Sequence, residues 1–165
     1  MLYQEIVQAF NKAKVKYVVV GGVAFNLLGG SRATADLDIL LAMDEDNLKK
    51  TIKILLKKGY KVKQPVDPMD FADKKIRDVW VRDKNLKAFN FYKDKSGYEE
   101  IDIIVESPVS FERARQDAVM IEAGKYKIPV IAINKLIKMK LAAARERDIL
   151  DVKELRIIKR MRHAR

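Results

Sequence analysis

The chain has 165 residues, of which 48% are hydrophobic and 35% charged, so it can bury a real core and is not disordered by composition. It has no cysteine and one histidine, His163. That removes disulfide scaffolds, thiolate chemistry, cysteine-based clusters, HExxH helices and a Ser–His–Asp triad. The net charge is +11, and residues 134–165 carry 11 Lys+Arg against 4 Asp+Glu. Such an excess suits polyanionic partners or a lysine-rich solvated face.

Leu2, Ile6, Val7 and Phe10 recur at helical spacing and predict a first helix over residues 2–14. This amphipathic start is too polar to span a bilayer, and no signal peptide or membrane segment is visible, which points to a cytoplasmic protein. Tyr17–Val20 reads as a buried strand that ends at Gly21-Gly22, and Val23–Leu28 as a short helix closed by Gly29-Gly30. Asp36–Ala42 is a second strand. Asp46 is expected to cap a helix over Asn47–Lys58, with Leu48, Ile52, Leu55 and Leu56 on its apolar face. A short strand over Tyr60–Lys63 follows.

Pro65 and Pro68 mark residues 64–77 as a loop with room for one helical turn. Val79–Arg82 and Ala88–Tyr92 are expected to form a hairpin around Asp83–Lys87. Its aromatic residues Trp80, Phe89, Phe91 and Tyr92 read as packing rather than base stacking. Ile101–Glu106 is a further strand and Ser110 opens a short helix. Val119–Ala123 and Lys127–Ile131 flank a turn at Gly124, and from Asn134 the chain reads as helical to about Arg145 and again from Asp148 to about Met161. His163 falls in the terminal MRHAR, read as disordered surface. The expectation is a mixed α/β (α+β) fold: a core over residues 1–133, and a basic helical C-terminal segment over 134–165 packed on it.

The most informative stretch is Gly-Gly, thirteen residues, then Asp36-x-Asp38. Strand residues i and i+2 leave one face about 7 Å apart, so both carboxylates can meet the same hard cation. Asp102, in the apolar strand IDIIVE, offers a third. Three carboxylates on adjacent strands would hold two Mg²⁺ ions about 3.5–4 Å apart, the arrangement that carries phosphoryl transfer. Asp102 is the natural acceptor of a hydroxyl proton. Gly21-Gly22 at a strand-to-helix turn lets phosphate oxygens approach the backbone, and Ser31 and Arg32 can reach the same triphosphate. Taken singly, the glycine pair is an ordinary turn and the aspartates a solvated face; their order and spacing make the case.

The string GGVAFNLLGGSRATADLDILL resembles the signature of the polymerase beta-type nucleotidyltransferase superfamily, and IDIIVE resembles its third-carboxylate strand. RERDILDVKEL (145–155) resembles the tail of small prokaryotic members, among them nucleotidyltransferase-like toxins of abortive-infection systems. The resemblance implies a nucleotidyltransferase-like mixed sheet flanked by helices, with Gly21 and Gly22 on the triphosphate and Asp36, Asp38 and Asp102 on Mg²⁺. It implies transfer of a nucleoside monophosphate from an NTP, such as ATP, to a hydroxyl with release of pyrophosphate. Glycine at position 22, where the superfamily often has serine, is a trait of the toxin-like branch.

In the tail, Lys135 can reach the γ-phosphate if its helix packs beside the cleft, and the resemblance points the same way; its alternative is a solvated basic face shared with Lys138, Lys140, Arg145 and Arg147. Asp148 and Asp151 have the spacing of a helix N-cap with an acidic third residue, or else belong to the active site. The leading functional expectation is transfer to an RNA, such as tRNA, or to a protein hydroxyl, in a toxin-type enzyme with a possible antitoxin partner. The alternatives are a small-molecule hydroxyl of the antibiotic type and an inactive nucleotide- or RNA-binding module. The lysine excess argues against cationic aminoglycosides.

Overall fold

A computed structural model describes residues 3–94 and 99–164. Leu2, at the head of the expected first helix, and the side chain of His163 lie outside what it describes. The helices are α1 (Gln4–Lys12), α2 (Gly21–Leu27), α3 (Glu45–Lys57), α4 (Lys74–Lys84), α5 (Phe111–Gln116), α6 (Ile133–Ala143) and α7 (Glu146–His163). The strands are β1 (Tyr17–Val20), β2 (Leu37–Leu41), β3 (Lys61–Val62), β4 (Ala88–Lys93), β5 (Glu99–Ile104), β6 (Val119–Ala123) and β7 (Tyr126–Val130). They form one mixed sheet in the order β3-β4-β5-β2-β1-β7-β6. Among the described residues β2/β5 and β1/β7 are the parallel pairs, and they lie on either side of the antiparallel β1/β2 pair in the sheet interior.

That placement follows from sequence. Every residue of β1 is buried, as is usual for a strand covered on both faces. In β2 and β5 the apolar residues Leu37, Ile39, Ile101 and Ile103 alternate with Asp38 and Asp102. One face of this strand pair therefore joins the core, and the other carries carboxylates. Helix α2 packs on β1 and β2 and touches α6, while α7 packs on α6. No described helix is long and apolar enough to cross a membrane.

Three local expectations are corrected. The cap of α3 is Asp44, whose Oδ1 accepts from the Asn47 N–H at 3.0 Å, and not Asp46. Asn47 itself is buried, donating to the carbonyls of Lys16 and Ala42 and accepting from the Lys16 N–H, so it ties the helix start to the chain around β1 and β2. Two residues of slip were invisible because either aspartate satisfies the local capping pattern.

Val79–Arg82 is not a strand. It lies in α4, capped by the Asp73 carboxylate on Lys75 and Ile76 and closed by Asn85 at φ 51°. The apparent alternation of DVWVRD misled because the helix buries little beyond Trp80 and the stem of Arg77. Arg77 donates to the carbonyls of Phe71, Ala72 and Met43, fixing α4 to the short 3-10 turn Pro68–Ala72. Freed from the hairpin, β4 pairs with β3 and β5 instead.

The third correction concerns Asp148 and Asp151. Helix α7 begins at Glu146 with Arg145 as its N-cap and no side-chain cap bond. Both aspartates point inward and are spent on ion pairs, described below.

The aromatic residues pack, as expected. Phe89 stacks on Phe71 at 4.3 Å between ring centres, on Trp80 at 5.9 Å, and meets Phe91 edge-on at 5.4 Å. Removing Phe89 leaves a ring-sized hole among Phe71, Trp80 and Phe91. Phe89→Ala should cost about 3–5 kcal/mol, read as a lower urea midpoint at unchanged slope.

Candidate active site

Asp38 and Asp102 stand opposite each other in the parallel β2/β5 pairing. Neighbouring strands run about 4.8 Å apart, so the two carboxylates leave the same face side by side. Asp36 immediately precedes β2, and strand alternation brings it to that face. Across the antiparallel β1/β2 pairing, Asp38 faces Val20, the residue before Gly21-Gly22. Two strand pairings therefore bring Gly21, Gly22, Asp36, Asp38 and Asp102 together, although Gly21 and Asp102 are far apart in sequence.

Both glycines are demanded by contacts. Gly21 has φ +65°, and a Cβ there would lie 1.8 Å from Asp38 Oδ2. At Gly22 a Cβ would meet Thr34 Oγ1 at 2.3 Å and Arg32 Nη2 at 3.2 Å. Glycine at position 22 thus follows from the fold of residues 30–36 over α2, and needs no explanation from the toxin-like branch.

The carboxylates are electrostatically strained. Burial, then the charge of Asp102, push the Asp38 carboxyl up to about 6, with a further push from Asp36. The Gly22 N–H and the guanidinium of Arg145 pull the other way without cancelling it. Burial also raises Asp102, against the lowering effect of its hydrogen bond from Asn90. Asn90 Nδ2 donates to Asp102 Oδ1 at 2.7 Å, and Gln64 Nε2 donates to Asn90 Oδ1 at 2.7 Å. This chain of amides fixes the Asp102 carboxylate from the β4 side.

Tyr3 supports the same pair of strands from their leading ends. Its hydroxyl lies within hydrogen-bond reach of the Ala35 and Glu100 carbonyls and accepts from the Glu100 N–H at 3.1 Å. The residues it clamps precede Asp36 and Asp102 by one and two positions. Tyr3, Gln64 and Asn90 were not singled out from sequence. Only Asn90 left a trace there, as a polar residue between buried Phe89 and Phe91, which turns it to the carboxylate face.

The other expected residues are placed as follows. Ser31 Oγ donates to Glu154 of α7 at 3.2 Å. Arg32 Nε donates to Asp151 at 2.9 and 3.1 Å, with its guanidinium over the Phe25 ring. Lys135 is held by α5, donating to Asp117 Oδ1 at 2.5 Å and to the Arg113 carbonyl. The lysine of α6 that reaches Arg32's neighbourhood is Lys140, only 5% exposed, 2.6 Å from Asp151 and 3.6 Å from Asp148. Asp148 also accepts from Arg145 Nε at 2.6 Å.

Among the described residues no group of three or more Asp, Glu, His or Cys side chains is gathered closely enough to hold a metal ion by itself. An open row of carboxylates still fits Mg²⁺, which keeps several waters and takes few protein oxygens beside substrate phosphates. Asp38 and Asp102 share one face, and the positive charge that reaches them, from Arg145 and Lys63, does not cancel the upward shift of either carboxyl, which favours a cation there.

Residues 2–155 match the family model of aminoglycoside-2''-adenylyltransferase. The chain belongs to that family. It is therefore a nucleotidyltransferase, and the model names an antibiotic-modifying branch of the superfamily. No curated protein sequence matches this chain. Among solved structures, the lincosamide antibiotic adenylyltransferase LnuA, bound to lincomycin, is similar with a TM-score of 0.62 at 20% identity, over 95% of this chain and 96% of that one. ANT(2'')-Ia in complex with adenylyl-2''-tobramycin gives 0.59 at 13% identity, over 99% and 94%. A nucleotidyltransferase-like protein from Thermotoga maritima gives 0.58 at 19%, over 99% and 92%. These likenesses support the nucleotidyltransferase fold that the family assignment implies.

Two outcomes follow from the site's geometry. The ionised Asp38 is disfavoured in the fold, so its cost to stability is complete above pH 6 and is lost as pH falls toward 4, the ordinary carboxylate range. Asp38→Asn should stabilise the metal-free protein by about 1–2 kcal/mol at pH 7.5 and much less at pH 4.5, read as the shift in melting temperature. Gly21→Ala should do the reverse. Its Cβ must displace the Asp38 carboxylate, so melting temperature and nucleotide transfer should both fall.

Proposed function

We propose that this protein transfers AMP from ATP to a hydroxyl group of a small hydroxylated compound of the antibiotic type, with release of pyrophosphate. One observation carries the reading: an in-register carboxylate pair, Asp38 and Asp102, faces the Gly21-Gly22 turn in a chain whose family model spans residues 2–155. The acceptor class comes from that family, and the similar structures named above hold lincomycin and an adenylylated tobramycin. The charge of +11 favours an acceptor less cationic than an aminoglycoside.

Asp36, Asp38 and Asp102 are the residues that would hold Mg²⁺, which when bound neutralises triphosphate charge and acidifies the acceptor hydroxyl. Asp102 takes the hydroxyl proton. Its upward shift brings it nearer to the working pH and so makes it a better base. The acceptor oxygen forms a bond to the α-phosphorus as the bond from that phosphorus to the bridging oxygen breaks, and pyrophosphate departs. Asn90 and Gln64 hold the base in place. Gly21 and Gly22 let Asp38, Thr34 and Arg32 close on the turn, which brings Arg32 to the place where the triphosphate would lie. Ser31, tied to Glu154, steadies that loop, and Lys135 would contribute only by leaving Asp117.

A second reading, transfer to RNA, is favoured by one feature: Lys153, Arg156 and Arg160 are exposed along α7. One assay separates the two. The protein is incubated with Mg²⁺ and each α-labelled NTP, with lincosamides, aminoglycosides or total RNA as acceptor. The expected result is label from ATP on a small antibiotic, with Asp36→Asn/Asp38→Asn slower by about a thousandfold or more. Label in RNA would establish the second reading. Equal transfer by the wild type and the double variant would remove the carboxylates from the mechanism.

A further inference from the structure

The C-terminal helices carry an ionic cluster that the mechanism above does not use. Asp148, Asp151 and Lys140 are 1%, 3% and 5% exposed, while the side chains of their two other partners, Arg32 and Arg145, are 29% and 58% exposed. The cluster thus has a buried centre of two carboxylates and one ammonium, with a guanidinium on either side. Three positive groups against two negative leave a net charge of +1.

Arg32 reaches the glycine turn beside the carboxylates, and Arg145, on the far side of the same cluster, is coupled to Asp38 through its charge. Arg32 Nη2 lies near Gly22, where a Cβ would stand 3.2 Å from it. Arg145 is close enough for its field to lower the Asp38 carboxyl, and Asp38 acts on Arg145 in return. Asp151 accepts from Arg32 through Nε while Arg32 Nη1 donates to the Ala33 carbonyl at 3.1 Å, and Asp148 accepts from Arg145 through Nε at 2.6 Å and Nη2 at 3.3 Å. A guanidinium has five N–H donors in a fixed fork, so one gripped along one edge is aimed rather than used up.

Stability alone does not require this arrangement. Apolar residues of similar volume would dock α7 on α6 at least as well as a buried ion cluster. Position explains it better. Arg32 sits in the loop between α2 and β2, Lys140 on α6, and Arg145 at the start of α7, so the cluster joins three chain segments around one turn.

We propose that Asp148 and Asp151 are positioning residues for the triphosphate: they act through Arg145 and Arg32, holding both guanidinium groups toward the β- and γ-phosphates at the Gly21-Gly22 turn. This rests on the nucleotidyltransferase reading and adds to it that α6 and α7 complete the nucleotide site. Lys140 neutralises the buried carboxylates so that neither arginine is drawn inward.

The test is calorimetric titration of the full chain with ATP, AMP and inorganic pyrophosphate, each with Mg²⁺. Asp151→Asn and Asp148→Asn should weaken ATP and pyrophosphate by about tenfold or more, and AMP by less than about twofold. A purely structural role would weaken all three ligands together. Arg145 is largely exposed, so Arg145→Lys and Arg145→Met should fold even if the aspartate variants do not. Arg145→Lys should lose most of what Arg145→Met loses, because a lysine cannot be held by one edge. ATP affinity unchanged in the arginine variants, or ATP and AMP falling equally in folded aspartate variants, would overturn the proposal. Failure of the wild type to bind any NTP would instead sink the nucleotidyltransferase mechanism, and the two failures are distinguishable.

Discussion

Two carboxylates in register on adjacent parallel strands repel each other, and the fold of this protein is arranged around keeping them there. The repulsion is visible in the Asp38 carboxyl, pushed up to about 6 by burial and by Asp102. What holds the pair is the sheet itself. The opposite face of β2 and β5 buries Leu37, Ile39, Ile101 and Ile103. Slipping either strand by one residue would turn those side chains out of the core and the aspartates into it. At about 25 cal/mol per Å² of apolar surface, burying several such side chains outweighs the few kcal/mol of electrostatic strain.

Around that pair lie supports that each restrict one degree of freedom. Gly21 turns the chain through a left-handed conformation and leaves room for the Asp38 carboxylate. Asn90 and Gln64 fix the Asp102 rotamer. Tyr3, 97 residues before Glu100, ties the entry of β2 to that of β5. Asn90, Gln64 and Tyr3 act through the carboxylates and strands that they hold. Together they make a rigid face of negative charge beside the Gly21-Gly22 turn.

The charge excess that composition reports as a single total divides into two kinds in the fold. Lys153, Arg156 and Arg160 stay on the exposed side of α7. Lys140, Arg145 and Arg32 are drawn into the cluster with Asp148 and Asp151. A lysine at 5% exposure is rare, and this one is tolerated because two carboxylates meet it. A +7 tail read as a solvated face is, for Lys140, the opposite.

The sequence by itself determined the sheet's central strands, the glycine turn and the three aspartates, because each depends on local pattern: a β-branched run ended by glycines, and carboxylates alternating with core residues. It also determined the superfamily, through the order and spacing of those elements. It misplaced α4, since an exposed helix with one buried aromatic leaves too little periodicity to read, and it left Asp148 and Asp151 open between a helix cap and the active site, since their spacing satisfies a capping pattern. Only the tertiary structure decided which lysine of α6 reaches Arg32, why position 22 must be glycine, and which amides orient Asp102. Those depend on contacts such as Asn90–Asp102, Gln64–Asn90 and Arg32–Asp151, which are 12, 26 and 119 residues apart in sequence, and local spacing carries no record of such partners.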